Sequence, residues 1–120
     1  MTIERLEPRL GEGRPHMSSI VVHNDTIYLA GQVAKDPNPN IKDQTRQILD
    51  NIERQLAVVG SDKSKILSTQ IWITDFENFA AMNEVWNAWL DPDNMPVRAC
   101  VQSPLARPEF LIEIMIIAAK

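Results

Sequence analysis

Two hydrophobic periodicities divide the chain. Ile41, Thr45, Ile48, Leu49, Ile52, Leu56 and Val59 recur in steps of three and four, the spacing of an amphipathic helix, and Gly60 is its C-terminal stop. Arg46, Asp50, Glu53 and Arg54 fall on the opposite, solvated side. Phe79, Met82, Val85, Trp86, Trp89 and Leu90 step in the same way. This second helix follows the candidate cap Thr74-Asp75 and is broken at Asp91-Pro92. Its Trp and Met stripe reads as core rather than as a cofactor site.

The remaining apolar runs are strand-like. Ser18 to His23, the turn Asn24-Asp25 and Thr26 to Ala30 predict a hairpin, because Asn and Asp tolerate positive φ. Ile66 to Ile73 is a strand rich in β-branched residues. The last quarter reads as two more strands, Pro96 to Ser103 and Leu111 to Ala119, joined by Pro104-Leu105-Ala106-Arg107-Pro108. Residues 2–6 fit a short edge strand. Glu7 to Pro15 holds Pro8, Gly11, Gly13 and Pro15 and is expected to be a loop, as is Asp36 to Asn40. The order βββαβαββ predicts an α+β fold: one mixed β-sheet with two helices packed on one face. The final strand is apolar on both sides, so its second side also needs cover, and another subunit is the simplest cover.

Composition narrows the classes. With 120 residues, 44% apolar and 23% charged, the chain is expected to be a single globular domain, 1–120. A formal charge of −4 lacks the basic footprint of nucleic-acid binding, so no nucleic-acid partner is expected. One cysteine excludes an intrachain disulfide. The N-terminus has no signal-peptide pattern, and the apolar run at 110–119 is too short to span a membrane. A cytoplasmic protein with no membrane association is expected.

Candidate chemistry gathers in the last two strands. Arg98 and Cys100 are two apart and share a strand face. Arg98 reads either as a guanidinium presented to a carboxylate or as half of an ordinary ion pair. Glu113 stands among Leu111, Ile112, Ile114 and Met115, where an ionised carboxylate is costly without a partner. It reads as a base or water-holding residue, or as a strand-end carboxylate paired with Arg98 or Arg107. Cys100 has no neighbouring base to activate it. His16 and His23 have no second ligand at metal spacing, and Gly11-Glu12-Gly13 lacks the context of a dinucleotide fingerprint, so no metal and no cofactor are expected.

The segments Pro96-Val97-Arg98-Ala99-Cys100-Val101 and Leu111-Ile112-Glu113-Ile114 resemble the C-terminal signature of the Rid/YjgF family of reactive intermediate deaminases. Leu29-Ala30-Gly31-Gln32 resembles its Ser-Gly-Gln turn, and the stretches from Gln44 to Ile52 and from Asp75 to Trp86 resemble its two helices. The resemblance implies a chorismate-mutase-like fold of the bacillar type, a homotrimer with sites between subunits, and hydrolysis of 2-imino acids such as 2-aminoacrylate. It further implies Arg98 as carboxylate clamp, Glu113 as holder of the attacking water, Cys100 as pocket wall with a positioning backbone, and Gly31 and Met17 as parts of the substrate-binding wall. Two departures place the chain in a divergent branch. The first-loop tyrosine of the better-studied branch is absent from Arg14-Pro15-His16-Met17-Ser18, leaving His16 or Arg14 as candidates for part of its role. Glu-Ile-Glu becomes Glu113-Ile114-Met115. The competing functions are a non-enzymatic trimer that binds small carboxylates or proteins and, less favoured by the acidic charge, RNA cleavage or chorismate mutation.

Overall fold

The computed structural model describes residues 2–120. Six strands, β1 (Ile3–Arg9), β2 (Met17–His23), β3 (Thr26–Leu29), β4 (Ile66–Ile73), β5 (Val97–Gln102) and β6 (Ile112–Ala119), form one sheet in the order β1-β2-β3-β6-β4-β5. Its pairs are antiparallel except β4–β5, which is parallel. The helices are α1 (Ile41–Val58) and α2 (Phe79–Trp89). This is the expected α+β, chorismate-mutase-like architecture: a mixed sheet with two helices on one face.

The two periodicities explain the packing. In α1, Ile48, Leu49, Ile52 and Leu56 are buried against the sheet, and Met82, Val85 and Trp86 do the same for α2. Asn40 caps α1 by accepting from Asp43 N at 3.0 Å, and Gly60 ends it with φ 77°. Central strand β6 sends Ile112, Ile114, Ile116 and Ala118 into the core under the helices. Its intervening residues Glu113, Met115 and Ile117 therefore point to the other, open face. Tyr28, Val97, Val101 and Met115 leave that face apolar, with Val97 70% exposed. The loop before β6 is stapled to α1 by fully buried Gln44, whose Nε2 donates to the carbonyls of Pro37 (2.8 Å) and Glu109 (3.1 Å) while Oε1 accepts from Leu111 N (3.0 Å).

The N-terminus departs from expectation. β1 does not stop at residue 6 but runs to Arg9, with Pro8 opposite Ser18 and Arg9 opposite Met17. An edge strand tolerates a proline because one row of its N–H groups needs no partner. Glu7 adopts φ 49° and is not itself paired, but the register is the same on either side of it, with Leu6 opposite Ile20 and Pro8 opposite Ser18, so the strand continues past the proline.

Glu7 is held there by the Arg54 guanidinium, which donates two 2.9 Å hydrogen bonds to its carboxylate. That guanidinium keeps the Glu7 carboxyl below its ordinary value of 4.5; partial burial opposes it, and Gln55 and Arg9 assist. A depressed carboxyl contributes stability that is complete above the unfolded value and is lost as pH falls through the folded one. Glu7→Gln is therefore expected to melt up to about 4 °C below the unaltered protein at pH 7, the two converging between pH 4.5 and the depressed folded value. Parallel melting curves across that window in thermal scans would refute the assignment.

Candidate functional site

Arg98 and Cys100 share a face, as their spacing requires. They lie opposite Thr69 and Ile71 of β4, and Ile71 is fully buried in the core, so both side chains are on the helix side of edge strand β5. The Arg98 guanidinium carbon sits 5.8 Å from the Phe79 ring centroid and 5.6 Å from that of Trp86. Two aromatic rings of α2 thus flank a cation that has no ion pair and no side-chain hydrogen bond among the described residues. The reading of Arg98 as half of an intrachain salt bridge does not hold. Burial raises the Cys100 thiol above its ordinary value, with Arg98 pulling weakly the other way. The thiol therefore stays protonated near neutrality, which suits a wall rather than a nucleophile.

Two polar atoms beside Arg98 were not singled out from sequence. Thr69, 2% exposed, has an unpartnered Oγ1, and Asn83 Oδ1 is likewise buried without a partner. Phe79, Asn83 and Trp86 fall on one stripe of α2 at steps of four and three. The signal available for Asn83 was a polar residue inside an otherwise apolar stripe; nothing local distinguished Thr69. Buried oxygens without partners are costly, and these two mark the most strained polar spot on this side of the sheet.

Glu113 stands on the other face. It is paired with Trp72 across β4–β6, two residues before Met115, and has no ion pair or hydrogen-bonding side chain among the described residues. Arg107, its other candidate partner, is bound to Glu109 at 2.8 Å. The carboxylate lies against Gly31 so closely that a Cβ there would sit 2.3 Å from Oε2. Gly31 follows Ala30, whose N–H donates to Ser19 O at 2.9 Å, and precedes Gln32, which exchanges hydrogen bonds of 2.9 and 3.0 Å with Ile114. The residue after Glu113 is thereby locked to the segment that carries Gly31. Met17, at the start of β2, lies at this same end of the sheet and is partly exposed.

The candidate residues thus fall into two clusters. Arg98, Cys100, Thr69 and Asn83 occupy the helix side of one sheet edge; Glu113, Gly31 and Met17 occupy the open face. The strand parity that separates them is set by β4, which pairs with both β5 and β6. Within one chain, clamp and carboxylate cannot reach one small molecule. Arg14 and His16 are on the exposed loop before β2, with His16 Nε2 3.3 Å from Gly11 O. Among the described residues no cluster of three or more His, Cys, Asp or Glu could hold a metal ion, and no helix is long and apolar enough to cross a membrane.

Comparison with known proteins covers nearly the whole chain. The family model described as endoribonuclease L-PSP matches residues 12–120. The RutC family protein YoaB of Escherichia coli K12 is 40% identical over 119 residues, spanning 99% of both chains. Among solved structures, a YjgF family member from Neisseria meningitidis superposes with a TM-score of 0.90 at 38% identity, over 100% of this chain and 96% of that one. The Rid family protein YyfA of Yersinia pestis superposes at 0.87 with 27% identity, over 99% of this chain and 100% of the other.

Proposed function

The chain belongs to the Rid/YjgF family, and from that premise we propose that it hydrolyses reactive 2-imino acids and their enamine tautomers to 2-keto acids and ammonia. One observation carries the reading: an unpaired guanidinium and an unpaired carboxylate, each held by its surroundings, lie on opposite faces of one sheet. A homotrimer would bring the Arg98 edge of one protomer against the Glu113 face of the next and cover the apolar residues around Met115 and Val97.

In that cleft Arg98 receives the substrate carboxylate bidentately. Glu113 holds a water and takes one of its protons as the oxygen attacks C2, the C=N π pair moving to nitrogen. The resulting carbinolamine collapses when Glu113 returns that proton to nitrogen. The C–N bond breaks with its electron pair leaving on nitrogen as ammonia, Glu113 takes the hydroxyl proton as C=O forms, and the departing ammonia picks up that proton as ammonium. An iminium carbon is already electrophilic, so positioning and proton transfer suffice. Cys100 and Met17 serve as pocket wall.

The endoribonuclease description attached to the family model is the competing activity. A net charge of −4 argues against it, because phosphate binding draws on clustered cations. The test is direct. The protein should sediment at three times its 13.6 kDa chain mass and speed keto-acid release from imines generated by an amino-acid oxidase. A trimer that binds a 2-keto acid in thermal-shift assays without accelerating release would be a binder instead, and the deaminase reading would fall.

A further inference from the structure

Behind Gly31 the structure holds a closed ring of side-chain hydrogen bonds. Arg54 donates from Nη1 and Nη2 to the Glu7 carboxylate and from Nε to Asn51 Oδ1, each at 2.9 Å. Asn51 Nδ2 donates to Gln32 Oε1 and Gln32 Nε2 to Gln55 Oε1, both at 2.5 Å. Gln55 Nε2 returns to Glu7 Oε1 at 3.4 Å. Every donor in the circuit meets an acceptor, and its inner members are buried, Gln32 at 4% and Gln55 at 2% exposure.

A ring of this kind is a poor means of gaining stability. Burying amides roughly balances their desolvation, while leaving one member unpaired is expensive. It is a good means of fixing geometry, since moving one member strains all the others. The ring also holds Glu7 in the left-handed region, a conformation that costs about 1 kcal/mol in a non-glycine residue. Gln32, held in the ring by both Asn51 and Gln55, is the member that touches the candidate site. Its main chain clamps Ile114, the residue after Glu113, and its predecessor Gly31 is the floor on which the Glu113 carboxylate rests.

We propose that Glu7, Asn51, Arg54 and Gln55, acting through Gln32, are positioning residues for Glu113: they set the height of the Gly31 floor against β6 and so the place where the carboxylate holds its water. The inference rests on the assignment of Glu113 as the water-holding residue. It ties the chemistry to edge strand β1 through Glu7, the strand's one residue with positive φ.

Two variants test it. Glu7→Gln puts an amide N–H where Arg54 needs an acceptor and opens the ring at its rim. Gln55→Leu opens it in the core. In each, the side-chain carboxyl 13C resonance of Glu113 should move, because the carboxylate no longer rests against Gly31 in the same place. This readout needs no turnover, so it decides the matter even in a protein that proves inactive on imines. Where turnover is present, kcat should fall about tenfold with KM within about twofold, because Arg98 is untouched. The loss should vanish in a Glu113→Gln background. An unmoved Glu113 resonance in a folded Glu7→Gln protein would overturn the proposal. So would a lowered melting temperature with unchanged kcat, or a loss that persists without Glu113.

Discussion

Arg98→Ala is expected to lower kcat/KM for a 2-imino acid at least about a hundredfold while the protein stays folded. A hydrogen bond to a charged group contributes roughly 1.5–3 kcal/mol, and a bidentate guanidinium–carboxylate pair makes two of them. Even the lower end, about 3 kcal/mol together, exceeds two factors of ten. The fold should tolerate the change because Arg98 is on edge strand β5 with no ion pair to break. What is lost is its stacking between Phe79 and Trp86, worth about 1 kcal/mol. Arg98→Lys should recover only part of the activity, since an ammonium keeps the charge and loses the planar fork. Steady-state kinetics with oxidase-generated imines decides it: full activity in Arg98→Ala would remove the clamp, and with it the proposed reaction.

Gly31→Ala should be nearly silent in stability and damaging in rate. The added Cβ would lie 2.3 Å from Glu113 Oε2 and 3.3 Å from Cδ, and the atoms it meets are the far end of one flexible side chain. Backbone strain is not involved, because Gly31 does not use the left-handed region that Gly11, Gly13 and Gly60 use. Glu113 must therefore swing off its floor, and the fold need not respond. A displacement on the order of 1 Å at a reacting group costs about a hundredfold in kcat. Circular dichroism melts should match within about 2 °C while kcat drops by roughly that factor and KM barely moves. A Gly31→Ala protein with unaltered kcat would show that Glu113 does not act from the position the structure gives it.

Much of the fold was open to inspection along the chain. Burial of one helix stripe writes a period of three to four, and Ile48, Ile52 and Leu56 duly face the sheet. The Asn24-Asp25 hairpin was equally plain, because a turn that needs positive φ selects residues that tolerate it, and Asn24 has φ 55°. The extension of β1 through Pro8 was not. A proline punctuates a chain unless the strand is at an edge, and edges exist only once strands are ordered.

The candidate site divides the same way. That Arg98 and Cys100 share a face is a local rule of strand geometry, and it held. That Glu113 is out of the ordinary was legible in the apolar residues around it; that neither Arg98 nor Arg107 pairs with it was not. Whether Arg98 and Glu113 share a face depends on how β5 and β6 each register against β4, which no local pattern encodes. Asn83 and Thr69 show the same limit, since an unpaired buried oxygen is defined by what fails to approach it from elsewhere in the chain.

The sequence alone determined the elements, their order, the two-layer arrangement and the residue types able to hold a carboxylate and a water, because these follow from periodicity and from the cost of burying charge. Only the tertiary structure decided that clamp and carboxylate lie on opposite faces, that Gly31 is the floor beneath Glu113, and that a ring of amides stands behind it. Those facts rest on contacts between residues far apart in the chain, such as Gln32 with Gln55, 23 positions apart, and Gly31 with Glu113, 82 apart. Such contacts come into being only when the strands have paired.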